Sequence, residues 1–157
     1  VKKVNKITQA FTYNGEPQWP DSVVVETKDA GTITMKHDGN GKYSSEGEKS
    51  VAISVANNVE KGSATVTAIG SDNKAKKTTF KIAAVDLSTA STDDLTITAA
   101  AAKYTSKGAT TTVEVSYKGL DLIEGQDYTV KYAYANKKNA GENAGNVTIT
   151  GKGNFAK

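Results

Sequence analysis

From Tyr128 through Val130 and Tyr132 to Tyr134, every second residue is large and apolar or aromatic. This is the mark of a β-strand with one buried face. Val147 and Ile149 alternate in the same way, and Asn139 to Gly145 between them is turn chemistry, rich in Asn and Gly. Similar alternation recurs upstream at Phe11 and Tyr13, Val23 and Val25, Thr32 to Met35, Val51 to Val55, Ala64 to Ile69 and Thr78 to Ile82, and downstream at Val113, Val115 and Tyr117. Turn signals separate these runs: Asn14-Gly15, the two hairpin dipeptides of His37 to Tyr43, the polar stretch through Asn57, Asn58 and Gly62, and Gly70 to Ala75. Ala99 to Ala102 is too short to nucleate a helix and reads as a strand running into Tyr104. Gly119 to Gly125 reads as a turn with Leu120 and Leu122 or Ile123 tucked inward. The pattern predicts an all-β chain of antiparallel sandwiches.

The strands repeat. At a constant offset of 81 positions, Gly70, Asn73, Ala75 and Lys76 match Gly151, Asn154, Ala156 and Lys157. Val66 matches Val147, and Val51 and Ile53 fall opposite Tyr132 and Tyr134. Two copies of one β unit follow, over residues 1–84 and 85–157. Val51, Ile53, Val66, Ile69, Phe80 and Ile82 are expected to line the first core. Val113, Val115, Tyr128, Val130, Tyr132, Val147 and Ile149 are expected to line the second. The junction, Ala83 to Asp94, is short and poor in Gly and Pro, as a semi-rigid joint would be. The first copy closes with Thr78 to Ile82, and the second stops before its equivalent, which leaves an open sheet edge and suggests a fragment cut out of phase from a longer array. Val1 to Ile7 reads either as the first strand of copy one or as a strand able to fill that edge in a neighbouring molecule.

The second copy carries Tyr104-Thr105, Gly119-Leu120, Gly125, Asp127 to Val130, Ala140-Gly141 and Val147 to Phe155. Together these resemble the repeated Ig-like β domains of large surface proteins of Gram-positive gut bacteria, over residues 86–157. The first copy keeps Tyr13-Asn14-Gly15, Pro17 and the Gly70 corner but lacks the Asp-Tyr-Thr-Val centre. The resemblance implies two tandem Ig-like antiparallel β sandwiches, an extracellular or cell-wall address, and adjacent repeats of the same protein as partners. It carries no catalytic site across. It also raises a Lys–Asn isopeptide cross-link, which a mass measurement showing no loss of ammonia would exclude.

Composition narrows the chemistry. Each copy is small enough to bury only ~60% of its unfolded surface, and with no cysteine neither is stapled by a disulfide. The net charge of +3 comes from lysine alone, because the chain has no arginine. Without the residue that makes most base-edge and bidentate phosphate contacts, specific nucleic-acid binding is not expected. No apolar run approaches the ~20 residues of a membrane span. His37 is the single histidine and has no partner at zinc-ligand spacing. Asp38 and Asn40 have calcium-loop spacing but lack the distal bidentate Glu, so the stretch reads as a hairpin turn. Glu46 with Glu48, Asp93 with Asp94, and Asp121, Glu124 and Asp127 all fall in turns, where acids cap and solubilise. Neither a catalytic site, a metal nor a cofactor is expected.

Trp19, the only tryptophan, lies between Pro17 and Pro20. It is either a plug for the first core or, with Tyr13, a surface for stacking on a sugar ring. The reading that follows is a non-catalytic tandem spacer or adhesion module. The alternative is a module that binds polysaccharide or a host glycoprotein through Trp19, Tyr13 and the turn tips.

Overall fold

The structure, a computed structural model, describes residues 1–47, 51–103, 105–135, 137 and 144–156. Glu48, Tyr104, the turn at Asn139 to Gly141 and Lys157 lie outside them. The chain divides into two compact units, Val1–Ala83 and Ala84–Lys157. Strands supply nearly all the regular structure, with two short 3-10 turns at Leu87–Thr89 and Gly153–Phe155.

Unit 1 holds β1 (Lys3–Val4), β2 (Phe11–Thr12), β3 (Ser22–Glu26), β4 (Thr32–His37), β5 (Tyr43–Ser44), β6 (Ala52–Ala56), β7 (Gly62–Ile69) and β8 (Ala75–Ala83). They form two four-stranded sheets, ordered β1-β3-β4-β5 and β2-β8-β7-β6. Pairing is antiparallel throughout except that β2 runs parallel to β8, with Phe11 beside Ile82 and Thr12 beside Ala83. Each sheet is a meander of three consecutive strands plus one short N-terminal strand. Val23, Val25, Ile33 and Met35 from one sheet meet Ala64, Val66, Ala68, Phe80 and Ile82 from the other in a single core, completed by Val4 and Phe11. The arrangement is sandwich-like. Small residues at 64 and 68 leave room for the tilted Phe11–Phe80 pair, whose ring centroids are 4.6 Å apart. Burying each large side chain contributes roughly 1.5–3 kcal/mol.

The strand period corrects part of the expected core. Ala64, Val66 and Ala68 point inward, so Ile69, one residue out of phase, points outward and is 36% exposed. Val51 and Ile53 only flank the core, and β3 and β4 supply the residues expected of them. Val1 to Ile7 is engaged within its own unit. Lys3 pairs with Glu26 and Val4 with Val25, and the N–H groups of Lys2 and Asn5 donate to Glu26 O and Val24 O at 2.8 and 2.9 Å. With Val4 buried in the core, this segment is not free to complete another molecule's sheet.

Unit 2 holds β9 (Leu95–Ala99), β10 (Val113–Tyr117), β11 (Leu120–Asp121), β12 (Tyr128–Tyr134) and β13 (Gly145–Gly151), in sheets ordered β11-β10-β9 and β12-β13. This succession, a three-strand meander followed by an antiparallel hairpin, matches β3-β4-β5 followed by β6-β7. Val85, Val113, Val115, Leu122, Tyr128 and Phe155 are buried, and Tyr117 meets the edge of Phe155 at 5.9 Å. Val130, Tyr132, Val147 and Ile149, expected in the core, are half-buried. Leu122 follows β11 in the same register, its N–H donating to Val115 O at 2.9 Å, and is buried beside that valine. Of the two alternatives for the inward position, Leu122 takes it and Ile123 is 58% exposed, while Leu120, expected inward, is 42% exposed. The strand expected through Ala102 stops at Ala99, and Ala100 to Lys103 is irregular and exposed.

The two matched glycine corners fold differently. Gly70 opens a hairpin turn in which Asn73, at φ +54°, donates its N–H to Gly70 O at 3.0 Å. Gly151 enters the Gly153–Phe155 turn, where a Cβ at Gly151 would lie 1.9 Å from the Phe155 carbonyl oxygen. Glycine is therefore required at 151 by close backbone approach. At the junction, Ala83 is the last residue of β8, and Val85 is already buried in unit 2, its N–H donating to Asn154 O at 2.8 Å. One residue, Ala84, separates the two.

Candidate functional site

The loop between β2 and β3 holds Trp19, and hydrogen bonds fix it from both sides. The Asn14 side-chain oxygen accepts from Glu16 N–H at 3.0 Å and from Gln18 Nε2 at 2.9 Å, and Gln18 Nε2 also donates to Thr12 O at 2.8 Å. Gln18 and Asn58 are joined reciprocally. Gln18 N–H donates to Asn58 O at 2.7 Å, and Asn58 Nδ2 donates to Gln18 O at 2.9 Å. Asn58 is 8% exposed, so this pairing satisfies a polar side chain that would otherwise be costly to bury. Beyond Trp19, Pro20 is buried and Asp21 N–H donates to Gln9 Oε1 at 2.9 Å.

The ring itself rests on the β4–β5 hairpin. Trp19 stacks on His37 with 5.3 Å between centroids and 14° between planes, and His37 in turn tilts against Tyr43 at 5.1 Å. His37 and Tyr43 are direct partners across the hairpin, which is why their rings meet. Tyr43 OH donates to Pro20 O at 2.7 Å, tying the hairpin back to the Trp19 loop. Burial, with the nearby Asp21 charge second, pushes the Tyr43 phenol up to about 12. His37 Nε2 accepts from Gly41 N–H at 2.9 Å, which places the ring proton of the neutral imidazole on Nδ1. A Cβ added to Gly41, which sits at φ +82°, would come within 3.1 Å of Trp19 Cζ2. The glycine therefore serves both the turn and the edge of the indole.

Asp38 belongs to the same turn. Its Oδ1 accepts from Asn40 N–H at 2.7 Å and Lys42 N–H at 3.0 Å, and those two bonds hold its carboxyl below the ordinary value of 3.8. The spacing that resembled half a calcium loop is thus occupied in closing a hairpin. Among the described residues no group of three or more His, Cys, Asp or Glu side chains could hold a metal ion. Asp127 and Asp94 serve a turn and a surface pair. Asp127 Oδ2 accepts from Ile123 N–H at 3.0 Å, and Asp94 lies 3.7 Å from Lys118 Nζ.

The two residues singled out by sequence have different surroundings. Trp19 is half-buried, with His37 stacked on its ring and Gly41 at its edge. Tyr13 is half-buried against the hydrophobic core of unit 1, and its N–H donates to Ala83 O at 2.9 Å. Sequence reading missed His37 and Tyr43 as the bed of Trp19. The available signal was their position on either side of an Asp-Gly-Asn-Gly turn, which makes them neighbours across a hairpin. What this arrangement offers is a neutral, preorganised aromatic surface with one face already occupied by imidazole.

No protein-family model, no curated protein and no solved structure matches this chain. Among the described residues no helix is long and apolar enough to cross a membrane.

Proposed function

We propose that the chain is a tandem pair of Ig-like modules acting as a non-catalytic spacer or adhesion segment of a larger bacterial cell-surface or secreted protein. "Ig-like" is meant architecturally. In unit 1 two facing sheets share an N-terminal segment divided between them, but the strands follow two meanders in place of the immunoglobulin Greek key. The observation that carries the reading is the one-residue joint. Ala83 ends the last strand of unit 1, and Val85 is buried in unit 2. Two β cores linked by a single residue suit a part whose work is to set a separation. The resemblance of residues 86–157 to surface repeats supports the same reading, with neighbouring repeats as partners.

The test is backbone relaxation by NMR on the chain and on a variant with four Gly-Ser residues inserted after Ala84. A spacer gives one common tumbling time for both units, which the insertion splits into two shorter ones. Independent tumbling without the insertion would sink the proposal.

A second reading has its own support. Trp19 is held half-exposed on a prebuilt bed, and a rigid aromatic ring is what stacking against a sugar face needs. Trp19 emission titrated with soluble polysaccharides and mucin decides it. A saturable change abolished by Trp19→Ala establishes glycan binding, and an unresponsive ring removes it.

A further inference from the structure

Unit 1 contains two Asn-Gly pairs, Asn14-Gly15 and Asn40-Gly41. In such a pair the glycine nitrogen can close a cyclic imide on the asparagine side-chain carbon, because glycine has no side chain to hinder the approach. The step is limited by the nitrogen, a poor nucleophile until it loses its proton. The chain's single histidine serves one pair only. His37 Nε2 accepts the Gly41 N–H at 2.9 Å, so a base already sits on the nitrogen that would attack Asn40. The imidazole is held there by its stack on Trp19 and its contact with Tyr43, at 5.3 and 5.1 Å between centroids. Asp38 is held below its ordinary value first by the N–H groups of Asn40 and Lys42 and to a lesser degree by the neighbouring imidazole. Its carboxylate in turn favours the imidazolium that proton transfer creates. Asn40 is exposed, so its side-chain amide is open to water. At the other pair, Asn14 Oδ1 is engaged by Glu16 N–H at 3.0 Å and Gln18 Nε2 at 2.9 Å, and no second imidazole exists to serve Gly15.

We propose that Asn40-Gly41 is a self-modification site at which His37 acts as the catalytic base. Its Nε2 takes the Gly41 proton as the Gly41 nitrogen bonds to Asn40 Cγ. The bond from Cγ to the side-chain nitrogen then breaks. The proton passes from the imidazolium to the departing nitrogen, which leaves as ammonia, and His37 ends neutral as it began. Water opens the cyclic imide at either carbonyl. One opening leaves aspartate at position 40, and the other leaves an isoaspartyl link that carries the backbone through the former side chain. No electron is transferred, and water is the only co-reactant. Either product adds a carboxylate to the turn that already holds Asp38, and like charges this close repel. The isoaspartyl link also lengthens the backbone between residues 40 and 41, which moves Gly41 relative to His37 and to the edge of Trp19. The Trp19 bed is thus built with a chemical clock: the intact hairpin holds the ring, and the modified one releases it. This goes beyond both readings above and depends on neither.

The experiment incubates the full chain at neutral pH and reads protease digests over time by mass spectrometry, which separates deamidation at Asn40 from that at Asn14. In the folded chain Asn40 is expected to convert at least about tenfold faster than Asn14. Aspartyl and isoaspartyl products both form, and a red shift of Trp19 emission follows the same time course. In urea, where no base is held on Gly41, the two sites converge to similar rates. His37→Gln keeps an acceptor for the Gly41 N–H and removes the base, so it slows Asn40 at least about tenfold and leaves Asn14 unchanged. The proposal is overturned if Asn14 converts as fast as Asn40 in the folded chain, or if folded His37→Gln leaves the ratio of the two rates unaltered. A variant that unfolds is recognised by an Asn14 rate risen to its value in urea, and the ratio in the native sequence then decides alone.

Discussion

The imidazole of His37 lies nearly parallel to the indole of Trp19 while its Nε2 accepts the Gly41 N–H at 2.9 Å. One side chain thus holds both the ring and the turn beneath it. His37→Ala removes the stack and that hydrogen bond together and is expected to cost about 1–2 kcal/mol by urea unfolding, with a red shift of Trp19 emission. Gly41→Ala and Gly39→Ala separate the two contributions. Both glycines sit near φ +80°, but a Cβ at Gly39 meets nothing within 4 Å, whereas at Gly41 it presses on Trp19. Both variants lose stability through backbone strain of ~1 kcal/mol, and only Gly41→Ala shifts the emission. Equal emission changes in the two would contradict the contact.

Alkaline pH tests the bond from Tyr43 to Pro20. Burial raises the folded Tyr43 phenol to about 12, above its ordinary value of 10.0. Its contribution is therefore fully present below pH 10 and declines as the unfolded chain ionises first, through pH 10 to about 12. The urea midpoint should fall more steeply over that window for the native sequence than for Tyr43→Phe, so that the gap between them narrows. A gap independent of pH would mean that the phenol is not protected as described.

Burial differs at the two matched valines, Val66 at 0% exposure and Val147 half-buried. Val66→Ala should destabilise unit 1 by about 2–3 kcal/mol, counting lost transfer energy and cavity, and Val147→Ala should destabilise unit 2 by about 1 kcal/mol. Trp19 fluorescence reports the first unit, and amide hydrogen exchange along β12 and β13 the second. Equal losses would contradict the difference in burial between the two valines.

The β character of the chain was legible because alternation marks half-buried strands directly, as at Tyr128 to Tyr134 and Thr32 to His37. Turns were legible where Asn-Gly and Asp-Gly left few alternatives. Phase was harder to read. Ile69 is as apolar as Val66 but odd in register, and Leu120 and Leu122 share a face on which Leu120 stands beside half-buried Tyr117 and Leu122 beside buried Val115. The Trp19 bed was hidden for another reason. It joins residues 19, 37, 41 and 43 across two turns, and no local pattern reports which rings meet. Nor does local pattern reveal the parallel pairing of β2 with β8, a contact between segments about 70 residues apart.

That parallel pair has a mechanical consequence. When tension is applied to the two ends of unit 1, it reaches Phe11-Thr12 from one direction and Ile82-Ala83 from the other. Strands that run the same way cannot peel apart one bond at a time under such a load. They must slide along each other, so the β2–β8 bonds and the adjacent Tyr13–Ala83 bond resist together. The short β2 strand, slight as a contributor to the core, is thereby placed as a shear clamp across the ends of the unit.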